Sequence, residues 1–178
     1  MLVLVVGPSG AGKDTLLAGA KARLAGNPRV RFVRRAITRP ASADAEDHEA
    51  VTEADFATRD FALQWGAHNL RYGIPADIAA DIAQGIAVVA NVSRGVIDQA
   101  AGRFPTHVIE VTAPIAVLAQ RLAARGRESA ADIAARLARA VPLPSTAPVT
   151  TVMNDGSLDQ GIDRFVAALL TACDRPPS

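Results

Sequence analysis

Cysteine is nearly absent from this chain of 178 residues. Cys173 stands alone, so no intramolecular disulfide can form and no cysteine-based metal site can be assembled. No apolar run approaches the roughly 18 residues that cross a bilayer. The chain opens Met-Leu-Val-Leu-Val-Val and reaches Gly7 with no basic stretch before the apolar one, so a secretory signal peptide is not expected. Excess charge is missing as well. A formal net charge of +1 argues against a protein that coats nucleic acid or another polyanion. Lysine is scarce: of 19 basic residues only Lys13 and Lys21 are lysines. Codon bias in a GC-rich genome accounts for most of that skew, yet one of the two lysines falls in a glycine-rich loop. What remains is 49% hydrophobic, enough for one domain with a sizeable core. A cytoplasmic protein with no membrane or nucleic-acid partner is expected, as a monomer or homodimer.

The pattern along the chain alternates strand with helix. Residues 2–6 are continuously apolar, as in a parallel strand buried on both faces, and residues 13–25 follow at helical spacing until Gly26-Asn27-Pro28. Val30 to Ile37 reads as a second strand, Pro40 to Glu49 as a polar loop, and Thr52 to Arg59 as a short capped helix. Phe61 to Pro75 suggests short strands, Pro75 to Gln84 a helix and Ile86 to Val92 a buried strand. A helix at Val96–Ala101, a strand at Thr106–Thr112 and helices at Pro114–Arg125 and Ser129–Ala140 follow. A proline-rich loop, Pro142 to Pro148, leads to a strand at Val149–Met153 and a last helix, Leu158–Ala172. The expected fold is α/β, a parallel sheet with helices on both faces. Residues 34–84 interrupt the alternation and read as an inserted lobe.

Residues 7–13, Gly-Pro-Ser-Gly-Ala-Gly-Lys, sit between a buried strand and a helix, where backbone amides cradle phosphate oxygens. Gly7, Pro8, Ser9, Gly10, Ala11 and Gly12 would supply that cradle, and Lys13 would neutralise charge between the β- and γ-phosphates of a nucleotide. The motif departs from its usual form after the lysine. Asp14 stands where a hydroxyl normally binds Mg²⁺, with Thr15 one step later to serve the α-phosphate. Two readings of Asp14 stay open. Its carboxylate holds Mg²⁺ or one of the ion's waters, or it merely complements the positive end of its helix.

The acceptor is argued from charge. Arg34, Arg35 and Arg39 lie at a strand end, as suits an anion. A hydroxyl acceptor usually needs a carboxylate base, whereas a phosphate acceptor is mostly dianionic at neutral pH and needs none. The strand ends offer arginines, Asn91 and Ser93 but no carboxylate, which favours a phosphate acceptor.

In order and spacing, the phosphate loop, Thr38-Arg39-Pro40, Glu46-Asp47-His48 followed by Val51-Thr52-Glu53-Ala54-Asp55-Phe56, and Tyr72-Gly73 resemble the guanylate kinase family. So do Ala113-Pro114, Arg121-Leu122 with Arg125-Gly126, Arg136-Leu137 and Val152-Met153-Asn154-Asp155, and the resemblance runs over nearly the whole chain. Gly12-Lys13-Asp14-Thr15, Ile37 to Pro40, Glu46 to Val51, Tyr72 to Pro75 and Asn91 to Arg94 look like the branch that phosphorylates ribose 1,5-bisphosphate in phosphonate catabolism. That resemblance implies a P-loop NTPase-type sheet in a single domain: a core of 1–33, 85–120 and 141–178, an acceptor-binding lobe of about 34–84, and a mobile lid of about 121–140. It implies ATP as donor, Mg²⁺ as cofactor and a phosphorylated sugar as acceptor. Arg125 and Arg136 match phosphate-binding positions of the lid, and Asn154 lies where the family contacts adenine. Arg35, Thr38, Arg39, His48, Tyr72, Asn91 and Ser93 are the implied acceptor contacts. Gln64 replaces the family's guanine-reading glutamate, and Asn91-Val92-Ser93 replaces its Asp-x-Asp strand end. Two rivals remain: a guanylate-type nucleoside monophosphate kinase, and a non-catalytic interaction module, against which the intact Gly12-Lys13 pair argues.

Overall fold

A strand whose two faces are both covered has to be apolar at every position, and Leu2–Val6 (β1) is, with all five side chains fully buried. The computed structural model describes residues 1–39, 47–124, 143 and 146–174. After β1 come α1 (Lys13–Arg23), β2 (Val30–Phe32), β3 (Arg35–Ile37), β4 (His48–Ala50), α2 (Glu53–Thr58), β5 (Phe61–Ala67), β6 (Leu70–Pro75) and α3 (Ile78–Ala83). Then follow β7 (Ala87–Asn91), a 3-10 turn at Arg94–Val96, α4 (Ile97–Ala101), β8 (Thr106–Thr112), α5 (Ile115–Ala123), β9 (Val149–Met153) and α6 (Leu158–Cys173).

Five strands form a parallel sheet in the order β2-β7-β1-β8-β9. Side chains of β1 alternate between two cores. Val3 and Val5 pack with Leu16 of α1, Leu118 of α5, and Phe165 and Leu169 of α6. Leu2, Leu4 and Val6 pack on the other face with Ile78 of α3, Ile97 of α4, and Leu63 and Ile74 of a second sheet. The chain leaves β1 for one edge, returns at β7 beside it, and crosses to β8 on its far side. Loops after β1 and β7 therefore diverge over the carboxyl edge of the sheet, where such folds leave a crevice.

The second sheet has the order β4-β3-β6-β5 and comes from residues 35–75, inside the stretch that reads as an insertion. Here two expectations need correction. Residues 30–37 are not one strand: β2 pairs with β7, Val33 still donates to the Val89 carbonyl at 3.0 Å, and by Arg35 the chain belongs to the other sheet. Apolar patterning runs straight through this change of sheet, because each half is independently strand-like. The polar stretch ending at Glu49 is not wholly loop either, since His48–Ala50 pairs parallel with β3, Arg35 opposite His48. A three-residue strand is too short to show a period.

The β5–β6 hairpin turns at His68 and Asn69, both at positive φ (53° and 59°), as a two-residue type I′ turn requires. Helix α3 starts later than Pro75 because Pro75 still pairs with Phe61. At α2 the Thr52 hydroxyl accepts from the Asp55 amide, and Ser157 with Gln160 makes a reciprocal capping box at α6. The helix expected at Ser129–Ala140 lies outside the described residues. Among the described residues no helix is long and apolar enough to cross a membrane.

Phe165 is fully buried where α6 meets the sheet below the loop that follows β1. Phe165→Ala should lower unfolding free energy by about 3–5 kcal/mol, read from a denaturant melt. A loss under about 1 kcal/mol would mean that this face is not close-packed.

Candidate active site

Between β1 and α1 the backbone takes conformations that only glycine tolerates. A Cβ on Gly7 would lie 2.0 Å from the Val111 carbonyl oxygen, so β8 closes that position to any side chain. Gly12 is left-handed (φ 86°, ψ 21°) and serves as N-cap of α1 without a capping side chain, so the first amides of the helix are left for an anion. The Lys13 ammonium donates to the carbonyls of Gly7 (2.8 Å) and Pro8 (3.1 Å), holding it against the loop it is expected to serve. Arg121 approaches the Gly10 carbonyl from α5 at 3.5 Å.

Asn154 sits beneath this loop. Its amide N–H donates to Thr112 O and its side-chain Nδ2 to Ala11 O, both at 2.7 Å, and it is 7% exposed. A Cβ at Gly12 would approach its Nδ2 to 2.6 Å, and one at Gly161 its Oδ1 to 2.7 Å. The side chain is thus wedged between the loop and α6 and is not among the residues that line the cavity. Next to it, Arg164 donates to the Met153 carbonyl (2.8 Å) and to Asp155 (2.7 Å), and that bond holds the Asp155 carboxyl below the usual range.

In front of the loop is a cavity of about 600 Å³. One end is the loop itself, from Ser9 to Thr15, with Asp14 and Asn91 facing each other: Asn91 Nδ2 donates to Asp14 Oδ1 at 2.8 Å. Phe32, Val33, Leu17 and Val89 form apolar walls. The other end is ionic, with Lys21, Arg34, Arg35 and Asp47. Asp47 Oδ2 accepts from Lys21 Nζ at 3.0 Å and its Oδ1 pairs with Arg34 Nε at 2.7 Å; the bond from Lys21 is the main reason its carboxyl is held below the usual range. Arg35 is 9% exposed and its guanidinium lies 5.6 Å over the Tyr72 ring, which in turn stacks on Trp65.

Of the residues singled out from sequence, Ser9, Gly10, Gly12, Lys13, Asp14, Thr15, Arg35 and Asn91 line one cavity. Gly7, Pro8 and Ala11 shape the loop behind it. Thr38 accepts from the Arg71 amide at 2.9 Å and ties β3 to β6. His48 is 6% exposed, with Nδ1 3.5 Å from Arg39 NH2, so these two and Tyr72 lie behind Arg35 and do not line the cavity. Ser93 precedes the 3-10 turn and Gln64 is exposed on β5; neither reaches the cavity. Arg125 and Arg136 lie outside the described residues. Lys21 and Asp47 were not anticipated. Lys21 had a signal, since Asp14, Leu17, Ala18 and Lys21 share one helical face; Asp47 had none, because its partners lie 26 and 13 residues away.

No family model matches the sequence. A ribose 1,5-bisphosphate phosphokinase PhnN from Acidiphilium cryptum is 51% identical over 98% of this chain and 95% of its own length. The chain belongs to the PhnN family. A bifunctional ribose 1,5-bisphosphokinase-thymidine phosphorylase from Cupriavidus necator is also 51% identical over 98% of this chain, but this chain spans only 30% of that protein. Among solved structures, guanylate kinase from Anaplasma phagocytophilum superposes with a TM-score of 0.60 at 15% identity, covering 98% of this chain and 86% of its own. The likeness is one of fold, and it makes this PhnN family member a guanylate kinase-like P-loop α/β protein.

The amide of Asn154 is the only side chain bonded to the Ala11 carbonyl among the described residues. Asn154→Ala strands that acceptor and should lower stability by about 1–3 kcal/mol while raising the KM for nucleotide. A melt and a nucleotide titration check both. If stability falls and the nucleotide KM stays put, Asn154 supports the fold and not the loop.

Proposed function

We propose that this PhnN family member transfers the γ-phosphoryl group of ATP to the 1-phosphate of ribose 1,5-bisphosphate, giving 5-phosphoribosyl 1-diphosphate and ADP, in the cytoplasm and as a step of phosphonate catabolism. The observation that carries it is the composition of the cavity in front of the phosphate loop. The loop at one end faces three cationic side chains at the other, as suits an anionic acceptor. Among the described residues the carboxylates that line it are Asp14, bonded to Asn91, and Asp47, held below its usual range chiefly by the bond from Lys21. A phosphate oxygen already carries the charge it needs. It attacks the γ-phosphorus, the bond to the β–γ bridging oxygen breaks, and ADP leaves. The names of the relatives, kinases of ribose 1,5-bisphosphate, support the same acceptor.

The loop amides and Lys13 bind and orient the migrating group, whose transition state spreads charge over its equatorial oxygens. Arg125 and Arg136 are proposed to complete that electrostatic cage, while Arg39, His48 and Tyr72, which do not line the cavity, are proposed to position Arg35 from behind. Among the described residues no cluster of three metal-ligating side chains exists. That suits Mg²⁺, which keeps several waters and takes one or two carboxylates plus substrate phosphates. Asp14 is exposed at the loop's mouth and oriented by Asn91, so it fits the carboxylate role, and Mg²⁺ when bound would neutralise the β- and γ-phosphate oxygens.

ATP consumption should be rapid with ribose 1,5-bisphosphate and weak with GMP or AMP, and Lys13→Ala should nearly abolish it. Equal or better turnover of GMP would make the protein a guanylate-type kinase, and no turnover of any acceptor would favour the interaction module. Asp14→Asn should raise the Mg²⁺ needed for half-maximal rate and lower kcat with little change in melting temperature. An unchanged Mg²⁺ curve, with about 0.3–1 kcal/mol of stability lost, would assign Asp14 to the helix end.

A further inference from the structure

We propose that Lys21 and Arg34 are the receptor for the 5-phosphate of the sugar, and that Asp47 occupies the place of that phosphate until the substrate enters. This rests on the acceptor assignment above. The three side chains come from different parts of the fold. Lys21 is on the core helix α1, Arg34 in the crossing between the two sheets, and Asp47 just before β4 in the second sheet. They meet in the cavity that the phosphate loop opens into. Each oxygen of Asp47 takes one cation, Lys21 at 3.0 Å and Arg34 at 2.7 Å, which is how two oxygens of a phosphate would be held. Arg34 is preset for it. Its NH2 donates to the His48 carbonyl at 2.8 Å, leaving Nε for the anion.

Charge and exposure both favour exchange. Lys21 and Arg34 carry two positive charges against one on Asp47, and a phosphate that is mostly dianionic at neutral pH balances the pair better than a carboxylate does. The three side chains are 53%, 56% and 59% exposed, so water screens the ion pairs and they hold Asp47 only weakly. The spacing fits a molecule phosphorylated at both ends. Lys21 follows Lys13 by eight residues in one helix, about 12 Å along its axis. Lys13 is held at the loop and Lys21 at the ionic end, so the two serve different stretches of the cavity. The walls there are Leu17, Ala18, Phe32 and Val33, which suit the ring and leave the phosphates to the ends.

Two measurements test this on the intact protein. Ribose 5-phosphate carries the distal phosphate alone, so its binding, followed by titration calorimetry, reports the receptor without turnover. Lys21→Met and Arg34→Met should each weaken it about tenfold to a hundredfold, Lys21→Arg should restore most of it, and Asp47→Asn should tighten it. In kinetics, the ratio of kcat/KM for ribose 1,5-bisphosphate over ribose 1-phosphate should fall by a similar factor in the two methionine variants. Opposite signs for Asp47→Asn and Lys21→Met are the signature of a placeholder. If both variants weaken binding, the trio is a structural tie and the proposal is overturned, as it is if the kinetic ratio does not move. If wild type binds ribose 5-phosphate with these variant effects yet fails to turn over ribose 1,5-bisphosphate, the receptor stands and the acceptor assignment falls.

Discussion

The glycine-rich loop does little to hold itself. Within it the Ala11 amide donates to the Pro8 carbonyl at 3.3 Å and Lys13 to the Gly7 and Pro8 carbonyls, but the glycines that permit the turn add no side chains to pack. Its rigidity is borrowed. Behind the loop, β1 is locked from both faces and paired on both edges, so Val6 and Gly7 are delivered at a fixed place. Beside it, the Val111 carbonyl fills the space where Gly7 would carry a side chain. Beneath it, Asn154 bonds the Ala11 carbonyl, and its own amide is bonded to Thr112 at the end of β8. Strands β8 and β9 therefore matter to the glycine-rich loop although neither contributes a side chain to the cavity.

The parts of this arrangement governed by local chemistry were legible in the sequence. Continuous apolarity identified β1, glycine spacing and Lys13 identified the cradle, and the strands at Thr106–Thr112 and Val149–Met153 fall where their patterning places them. What was not legible depends on distance along the chain. The break at Val33–Arg34 is invisible because a change of sheet leaves no mark in hydrophobicity. Asn154 is a polar residue at a strand end, and nothing local marks its bond to the Ala11 carbonyl, 143 residues earlier. Asp47 reads as one acid in a polar run, and only the fold brings Lys21 and Arg34 to it.

On the proposed function the two ends of the cavity would recognise phosphate by different means, with different consequences for specificity. At the loop end the donors are backbone amides and one lysine, a site that reads charge and geometry but little else about its ligand. At the far end the donors are side chains from α1, from the crossing between the two sheets and from β3. Each can be exchanged without disturbing the loop. On this proposal the acceptor's identity would be carried by a handful of charges, Lys21 on α1, Arg34 in the crossing between the sheets and Arg35 on β3.

A cavity that concentrates cations for a substrate has to remain folded without it. Lys13, Lys21, Arg34 and Arg35 line one space, and like charges that close raise each other's cost in a partly water-excluded site. The protein meets this with internal acceptors: the Gly7 and Pro8 carbonyls for Lys13, the Tyr72 ring for Arg35, and Asp47 for Lys21 and Arg34. Of these partners Asp47 lines the cavity and is the one a phosphate would displace on the proposal above. The Gly7 and Pro8 carbonyls and the Tyr72 ring lie behind the lining and hold their cations in place. At the ionic end a substrate phosphate would then replace contacts already made instead of neutralising bare charges. That exchange lowers the gain per contact but gives the empty site a defined shape. On the placeholder proposal, an anion of higher charge would displace Asp47 from its two cations more readily than one of equal charge. A dianionic phosphate has that higher charge at neutral pH, and a neutral sugar hydroxyl does not.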